Sequence, residues 1–483
     1  MKIDYLVPLF IFSTFASVIF MGILITTFWT AVAIISFIGY FAFSTFRVKQ
    51  GIKIQKKRKR GISTLLSFFI VLPILLGVVL HYEGYSVSKL FLQLIILYNY
   101  TIFVIINTIL LPLFFITTIK NLPSSYFEKN YTPKLTVVIP AFNEEKIIKQ
   151  TVQSVIDADY PKKEIIVVNN NSTDNTKKIL EKYQNKILVL DEPRKGKVNA
   201  INRGIQCAKG DIIVILDADT RVLHNTLAKI VIPFVNYKIG AVTGNVKVDN
   251  RSNLIEKIQV PDYNVSMNLA RGVLSLYGTM PIISGAFGAF RKSAIVEKNV
   301  SIFTDDTMTE DFDVTVKLLK KGYITSYEKD AIAYTEVPKK IMDLVNQRYR
   351  WLRGFIQVYF KHKDYFLGAA FDYSYNIAFF LLMNNNMIVP IIIIINLIAI
   401  VPTILIGNTD LVIFLISLGL FNITMFSLLT LRLSGEKISY GMYAPVLMVL
   451  FLWITSYIFL KSVIDQILHK EKAWKKIPRI GTT

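Results

Sequence analysis

Two kinds of sequence alternate in this chain of 483 residues, and they cannot fold in the same solvent. Tyr5 to Phe46, Ser63 to Leu80, Leu90 to Ile119 and much of the chain after Met387 are nearly unbroken apolar sequence. A helix crossing a hydrocarbon core uses about 20 such residues. The first stretch therefore divides into two spans hinged near Thr26 to Trp29, and the next two make one span each. Between Lys134 and about Asp330 nothing could span; short apolar runs alternate there with polar turns. The chain reads as membrane helices on both sides of a water-facing insert.

Composition supports that division. The chain is 53% hydrophobic and only 18% charged, more apolar than a soluble domain. Its formal net charge is +21, from 55 Lys and Arg against 34 Asp and Glu. A dense basic run, Arg47 to Arg60, lies between two apolar spans and reads as a positive-inside cytoplasmic loop. No nucleic-acid-binding module accompanies it, so nucleic acid is not an expected partner. Parity from that loop places the N-terminus and everything after Lys120 in the cytoplasm. No small-residue cleavage site follows a short apolar core, so the first stretch reads as an anchor. The single cysteine, Cys207, excludes an intramolecular disulfide and a cysteine zinc site. The four histidines are too dispersed for a metal cluster.

The expected organisation is two transmembrane helices in 1–46, a basic cytosolic loop in 47–62, two further helices in 63–120 and a cytosolic α/β domain in 121–339. Amphipathic interfacial helices follow in 340–386, transmembrane helices in 387–466 and a basic tail in 467–483. Three spans (Met387 to Ile406, Leu411 to Leu431, Tyr443 to Val463) would leave the basic tail outside. An additional short or re-entrant segment, bringing the C-terminus inside, is therefore expected.

Within the insert, strand-like runs at Leu135 to Ile139, Glu164 to Val168, Ile187 to Leu190 and Ile212 to Leu216 alternate with helix-like segments. The helical segments are Glu145 to Ala158, Asp174 to Tyr183 and Lys197 to Ala208. This alternation implies a doubly wound α/β domain with ligands at the carboxyl ends of its strands.

Three polar strings carry chemistry. Asp217-Ala218-Asp219 follows five apolar residues; carboxylates at i and i+2 on a strand end point the same way and can share a divalent metal. Thr309-Glu310-Asp311 opens a helix running to about Lys321, where Thr309 can cap and the acids can favour the dipole, or a carboxylate can serve as a base. Gln347, Arg350 and Trp351 share one face of an amphipathic helix, offering a guanidinium fork for phosphate and an indole for a sugar ring. Lesser signals surround them. Arg194-Lys195-Gly196-Lys197 puts cations before a helix, as suits a diphosphate or a solvated surface. Ser284 to Arg291 is glycine-rich, and Ser172 or Thr173 with Asp174 can cap the helix that follows.

The order D-x-D, T-E-D, Q-x-x-R-W between hydrophobic spans resembles the membrane-embedded, processive family-2 glycosyltransferases: cellulose, chitin, hyaluronan and poly-N-acetylglucosamine synthases. The resemblance runs from about Lys134 to Phe355. Gly240 to Asn245 and Thr309 to Asp313 look most like bacterial poly-β-1,6-N-acetylglucosamine synthases. It implies a GT-A-type domain using Mg²⁺ or Mn²⁺ and a UDP-sugar, extending a polysaccharide or lipid-linked acceptor at the plasma membrane. An accessory membrane subunit is a conceivable partner on the same ground. Residue by residue, Asp311 matches the general base of an inverting transfer and Asp219 the direct metal ligand. Asp217 matches a contact to nucleotide or, indirectly, metal. Ala141, Phe142 and Glu144 fall where the chain approaches the nucleotide. Asn169 and Asn170 fall where the family commonly has an aspartate reading uracil. Lys197 matches a nucleotide contact, and Gln347 and Arg350 the diphosphate clamp. Ser284, Gly285 and Glu310 fall in the acceptor pocket, with Trp351 as its floor. The alternatives are a hyaluronan-like or other β-glycan synthase, or a single-transfer enzyme acting on a lipid-linked acceptor, and a transporter with a nucleotide-sensing domain is a more distant one.

Overall fold

The computed structural model describes residues 131–265, 271–276, 278–298, 300–369, 382, 386–387, 389–405, 409–470 and 481. The expectations for 1–130, including four membrane helices and the basic loop, and for most of 370–388 and of the tail after 470 lie outside these residues.

The insert opens with three β-α repeats. β1 (Leu135–Ala141), β2 (Lys163–Asn169) and β3 (Leu188–Asp191) alternate with α1 (Ile148–Asp157), α2 (Thr176–Glu181) and α3 (Lys197–Cys207). β4 (Ile212–Leu216) follows, then β5 (Thr220–Val222), α4 (Thr226–Val231), β6 (Ile239–Val248), α5 (Leu254–Asn264) and α6 (Arg271–Leu276). β7 (Phe287–Arg291), α7 (Lys292–Ile295), the short pair β8 (Val296–Glu297) and β9 (Val300–Ser301), α8 (Glu310–Lys320) and β10 (Ile324–Thr335) complete it. The strand-like runs of the sequence are strands because both faces are covered: every residue of β4 is buried, as continuous apolar runs of parallel sheets require.

The eight-stranded sheet has the order β3-β2-β1-β4-β7-β6-β10-β5. β1 pairs in parallel with β2 and with β4, so the strand order reverses at β1 and its carboxyl end opens a crevice beside that of β4. β7 then runs antiparallel between β4 and β6. The doubly wound expectation therefore holds for the first half only. The second half is mixed, because β7 must return against the buried edge of β4, giving the GT-A-like form of an α/β domain. One core cluster runs through the sheet, with Leu135, Ile139, Ile148, Leu180, Ile212, Phe234 and Phe287 almost wholly buried.

After the sheet come α9 (Ile341–Lys361), α10 (Lys363–Ala369), α11 (Val389–Leu405), α12 (Thr409–Leu433), a 3₁₀ segment Ile438–Tyr443 and α13 (Ala444–Ile467). α9 packs on α8 and α13 through Phe312, Leu352, Phe355, Ile454 and Ile458. Among the described residues one helical run, Ile438–Ile467, is long and apolar enough to cross a membrane.

Candidate active site

The site gathers at the carboxyl ends of β1 and β4, where two helix starts and the turn leading into β7 converge. Leu216 ends β4 in the core, so the next residue must emerge from the sheet. Asp217 does, its amide donating to the Ala286 carbonyl at 3.1 Å. Its carboxylate meets Lys197 Nζ at 2.7 Å, and the same ammonium lies 2.9 Å from Glu310. Lys197 is the first residue of α3. Gly196 before it turns at φ 125°, a left-handed conformation that a side chain would strain.

Asp311, next to Glu310 at the start of α8, accepts the Gly285 amide at 2.9 Å. A methyl group on Gly285 would stand 3.1 Å from Asp311 Oδ2 and 3.3 Å from Lys197 Nζ, so only glycine allows these two charges to approach the strand. Thr309 occupies the N-cap position of α8 without a side-chain cap bond, against the capping expectation. Its Oγ1 is buried where Gly354 of α9 leaves room for it. At α2 the N-cap position is Asn175, which makes no side-chain cap bond; Asp174 just before it accepts from the Thr176 amide at 2.9 Å.

The charges perturb one another. Burial works against the Lys197 ammonium, yet Asp217 and Glu310 hold its pKa above the ordinary lysine value. Burial pushes the Asp217 carboxyl up, Lys197 opposes this and Asp219 adds to it. Burial would also raise Glu310, but Lys197 and then Arg350 bring it below the usual range. Asp311 is raised by burial and by Glu310, which makes it a stronger base than a solvated aspartate.

Asp219 is buried, with the Thr220 hydroxyl 3.2 Å and the Thr335 hydroxyl 3.4 Å from its Oδ1. No group of three or more His, Cys, Asp or Glu among the described residues can hold a metal alone. Asp217 and Asp219 nonetheless make an all-oxygen donor pair that suits a hard divalent ion completing its shell from a ligand's phosphates.

From α9, Arg350 reaches the field of Glu310, while Gln347 is buried with no partner for its Oε1. Trp351 packs against the main core, and the Arg348 guanidinium lies 4.4 Å from its ring centre. The sheet brings Ala141, Phe142 and Glu144 to the adjoining end of β1, where the Ala141 carbonyl accepts the Asn170 amide at 2.8 Å. Asn169 and Asn170 turn their side chains into the protein. Asn169 donates to Asp191 at 2.8 Å, while Asn170 donates to the Glu192 and Arg194 carbonyls and accepts from the Gly196 amide. Both therefore brace the loop that delivers Lys197. Arg194 folds back on Glu192 at 2.8 Å and does not join the cluster. Ser284 donates its amide to Thr243 Oγ1 at 3.2 Å, and the same oxygen accepts from Arg271 at 3.2 Å. Arg271 stood in no motif, so nothing in the local sequence marked it.

The fold, the strand-end carboxylates and the lysine between them define a class. Residues 136–297 match the family model Glycosyl transferase family 2, so this part of the chain is similar to family-2 glycosyltransferase domains. Among individual proteins, the chain is 36% identical over 224 residues to the poly-β-1,6-N-acetyl-D-glucosamine synthase of Staphylococcus aureus (strain COL). That alignment covers 46% of this chain and 54% of the relative. The Staphylococcus epidermidis synthase of the same name matches at 36% over 225 residues, with the same coverage. The chain thus spans about half the length of the curated relatives it matches. A solved structure of the mannosyltransferase PcManGT from Pyrobaculum calidifontis, in complex with GDP-Man and Mn²⁺, aligns at 21% identity and TM-score 0.48. It covers 75% of this chain and 98% of that one.

Proposed function

We propose that the chain is an inverting hexosyltransferase that passes N-acetylglucosamine from a UDP-sugar to a growing β-linked polysaccharide at the cytoplasmic face of the plasma membrane. The observation that carries this reading is the Asp217–Lys197–Glu310 bridge beside Asp311. It sets a cation and a carboxylate pair at a strand-end crevice, with a separate, strengthened base beside them at Gly285. The likeness to poly-β-1,6-N-acetylglucosamine synthases supports the choice of sugar and of a polymeric product.

In this reading Lys197 and Arg350 hold the donor's diphosphate, and the Gln347 side-chain amide nitrogen donates to the same group. Asp219 and Asp217 would hold Mg²⁺ or Mn²⁺, which when bound neutralises the charge that builds on the leaving diphosphate. Asp311 takes the proton from the acceptor hydroxyl as that oxygen attacks the anomeric carbon. One base and one displacement invert the anomeric centre. Trp351 supports the acceptor's terminal sugar, and polymer extension follows from keeping that sugar seated between transfers.

Membrane embedding in several spans, with the transferase domain cytoplasmic, belongs to the same reading. It is supported by Val446, Val449, Trp453, Tyr457, Leu460 and Ile464, which expose one apolar face along α13 at spacings of three and four residues. Passage of the product through the helices extends the proposal. The test is purified full-length protein in lipid with a panel of labelled UDP-sugars and Mg²⁺ or Mn²⁺. A β-linked N-acetylglucosamine polymer is expected. Transfer of another sugar would replace the donor assignment, and a single-sugar product would remove processivity.

A further inference from the structure

Beyond the strings that the sequence marks, one further cation, Arg271, lies within the field of Asp311. Arg271 begins α6, and that helix is pinned to β10 one turn later: Ser275 Oγ accepts the Tyr327 amide at 3.0 Å and lies 3.1 Å from the Ser326 hydroxyl. The pinning carries the Arg271 guanidinium to Thr243 of β6, whose Oγ1 it meets at 3.2 Å. Thr243 is wholly buried and also receives the Ser284 amide, so it anchors both the guanidinium and the turn before β7 that contacts the base.

A guanidinium has five N–H donors. Among the described residues this one makes that single hydrogen bond and no ion pair. The side chain is half-buried, and its desolvation pulls the arginine down to about 10, with the Tyr327, Asp311 and Tyr263 fields opposing. Asp311 is close enough to be felt but is hydrogen-bonded to Gly285 and Phe312 instead. The remaining donors are therefore held near the base without acceptors among the described residues.

We propose that Arg271, anchored on Thr243 beside Asp311, binds oxygen atoms of the acceptor's terminal sugar and favours a neutral N-acetylated sugar over one with a free, protonated amine. The proposal rests on the glycosyltransferase reading above. A fixed cation donates to hydroxyl and carbonyl oxygens and repels an ammonium group, so it orients the attacking hydroxyl and selects the acceptor at once. The donor's diphosphate has its own cations in this reading, Lys197 and Arg350. Arg271 is thus a specificity-determining residue for the acceptor and is distinct from the donor clamp.

The experiment uses full-length protein in lipid, UDP-N-acetylglucosamine as donor, and β-linked N-acetylglucosamine oligosaccharides, intact or de-N-acetylated, as primers. Failure of the wild type to transfer sugar from any nucleotide donor overturns the enzyme reading itself. With an active wild type, Arg271→Ala should raise KM for the intact primer about tenfold or more, the scale of a lost charged hydrogen bond. KM for the donor should stay within about twofold, and the preference for intact over de-N-acetylated primer, measured where the amine is protonated, should shrink. Arg271→Lys keeps the charge and most of the packing, so it should retain the preference while binding primer more weakly. Thr243→Val, which removes only the anchor, should shift primer KM in the same direction by less. An unchanged primer KM, an equal rise in donor KM, or an unaltered preference in Arg271→Ala overturns the proposal.

Discussion

Arg348 lays its guanidinium over the indole of Trp351, 4.4 Å from the ring centre, and is tied on its other side to Asp262 by a 2.6 Å ion pair. Phe451 of α13 closes on the same guanidinium at 5.2 Å. One face of the indole is thus held by the protein, and its position is shared between α5, α9 and α13. Trp351→Ala should shorten the polymer while leaving UDP affinity unchanged, through loss of an aromatic contact worth about 0.5–1.5 kcal/mol. Arg348→Met should do the same more weakly, because the ring stays but its support goes. Product sizing in membranes at matched protein levels checks both, and full-length polymer from Trp351→Ala would end the acceptor-floor role.

Asp311→Asn is nearly isosteric, and its side-chain oxygen can still accept the Gly285 amide now held at 2.9 Å. The fold and UDP binding should therefore survive while transfer falls by at least about 10²-fold, the scale of general-base catalysis. Initial rates alongside UDP titration separate the two; near-normal turnover would remove Asp311 from this role.

Gly285→Ala adds one methyl group 3.1 Å from Asp311 Oδ2 and 3.3 Å from Lys197 Nζ. Those contacts are tighter than side chains normally accept, so the base and the lysine must move apart. We expect kcat to fall at least about tenfold, since small misplacements of reacting groups are expensive, with a melting temperature close to wild type. A variant with wild-type kcat would show that this approach has no catalytic consequence.

Asp219→Asn should raise the Mg²⁺ or Mn²⁺ concentration needed for half-maximal activity and weaken donor binding in parallel. Both follow from removing one of the two carboxylates that would share the ion with the diphosphate. Metal titration of the variant is the measurement, and an unchanged metal requirement would reassign the ligand.

Asp313 supplies a pH prediction away from the reacting groups. Burial would raise its carboxyl, but His362, Lys317 and Lys361, at 2.7–2.8 Å, hold it well below the usual carboxylate range. A depressed folded-state pKa gives stability that is present above the unfolded value, about 4, and is lost as pH falls below it. At pH 7 Asp313→Asn should lower stability by about 1.5–3 kcal/mol, the range for charged hydrogen bonds. The gap to wild type should narrow as the pH is taken down from about 5. Melting curves at several pH values test the sign; a gap that widens in acid would refute it.

The strands at Leu135 to Ile139 and Ile212 to Leu216 could be read from the chain alone because they are continuous apolar runs whose length and bounding turns suit buried strands. α9 could be read from its helical spacing, and Asp217, Asp219 and Asp311 from acids placed at the ends of such elements. None of these needs a distant partner to be legible. What only the tertiary structure decided is who meets whom. Lys197 bridges Asp217 and Glu310 across three segments, Asn169 bonds Asp191 while Asn170 bonds the loop before Lys197, and β7 inserts antiparallel to β4. Arg271 reaches Asp311 through a helix pinned to β10. Periodicity records which way a residue faces relative to its neighbours in sequence. It carries no record of the long-range contacts that set a charge beside another charge, and the chemistry of this site resides in those contacts.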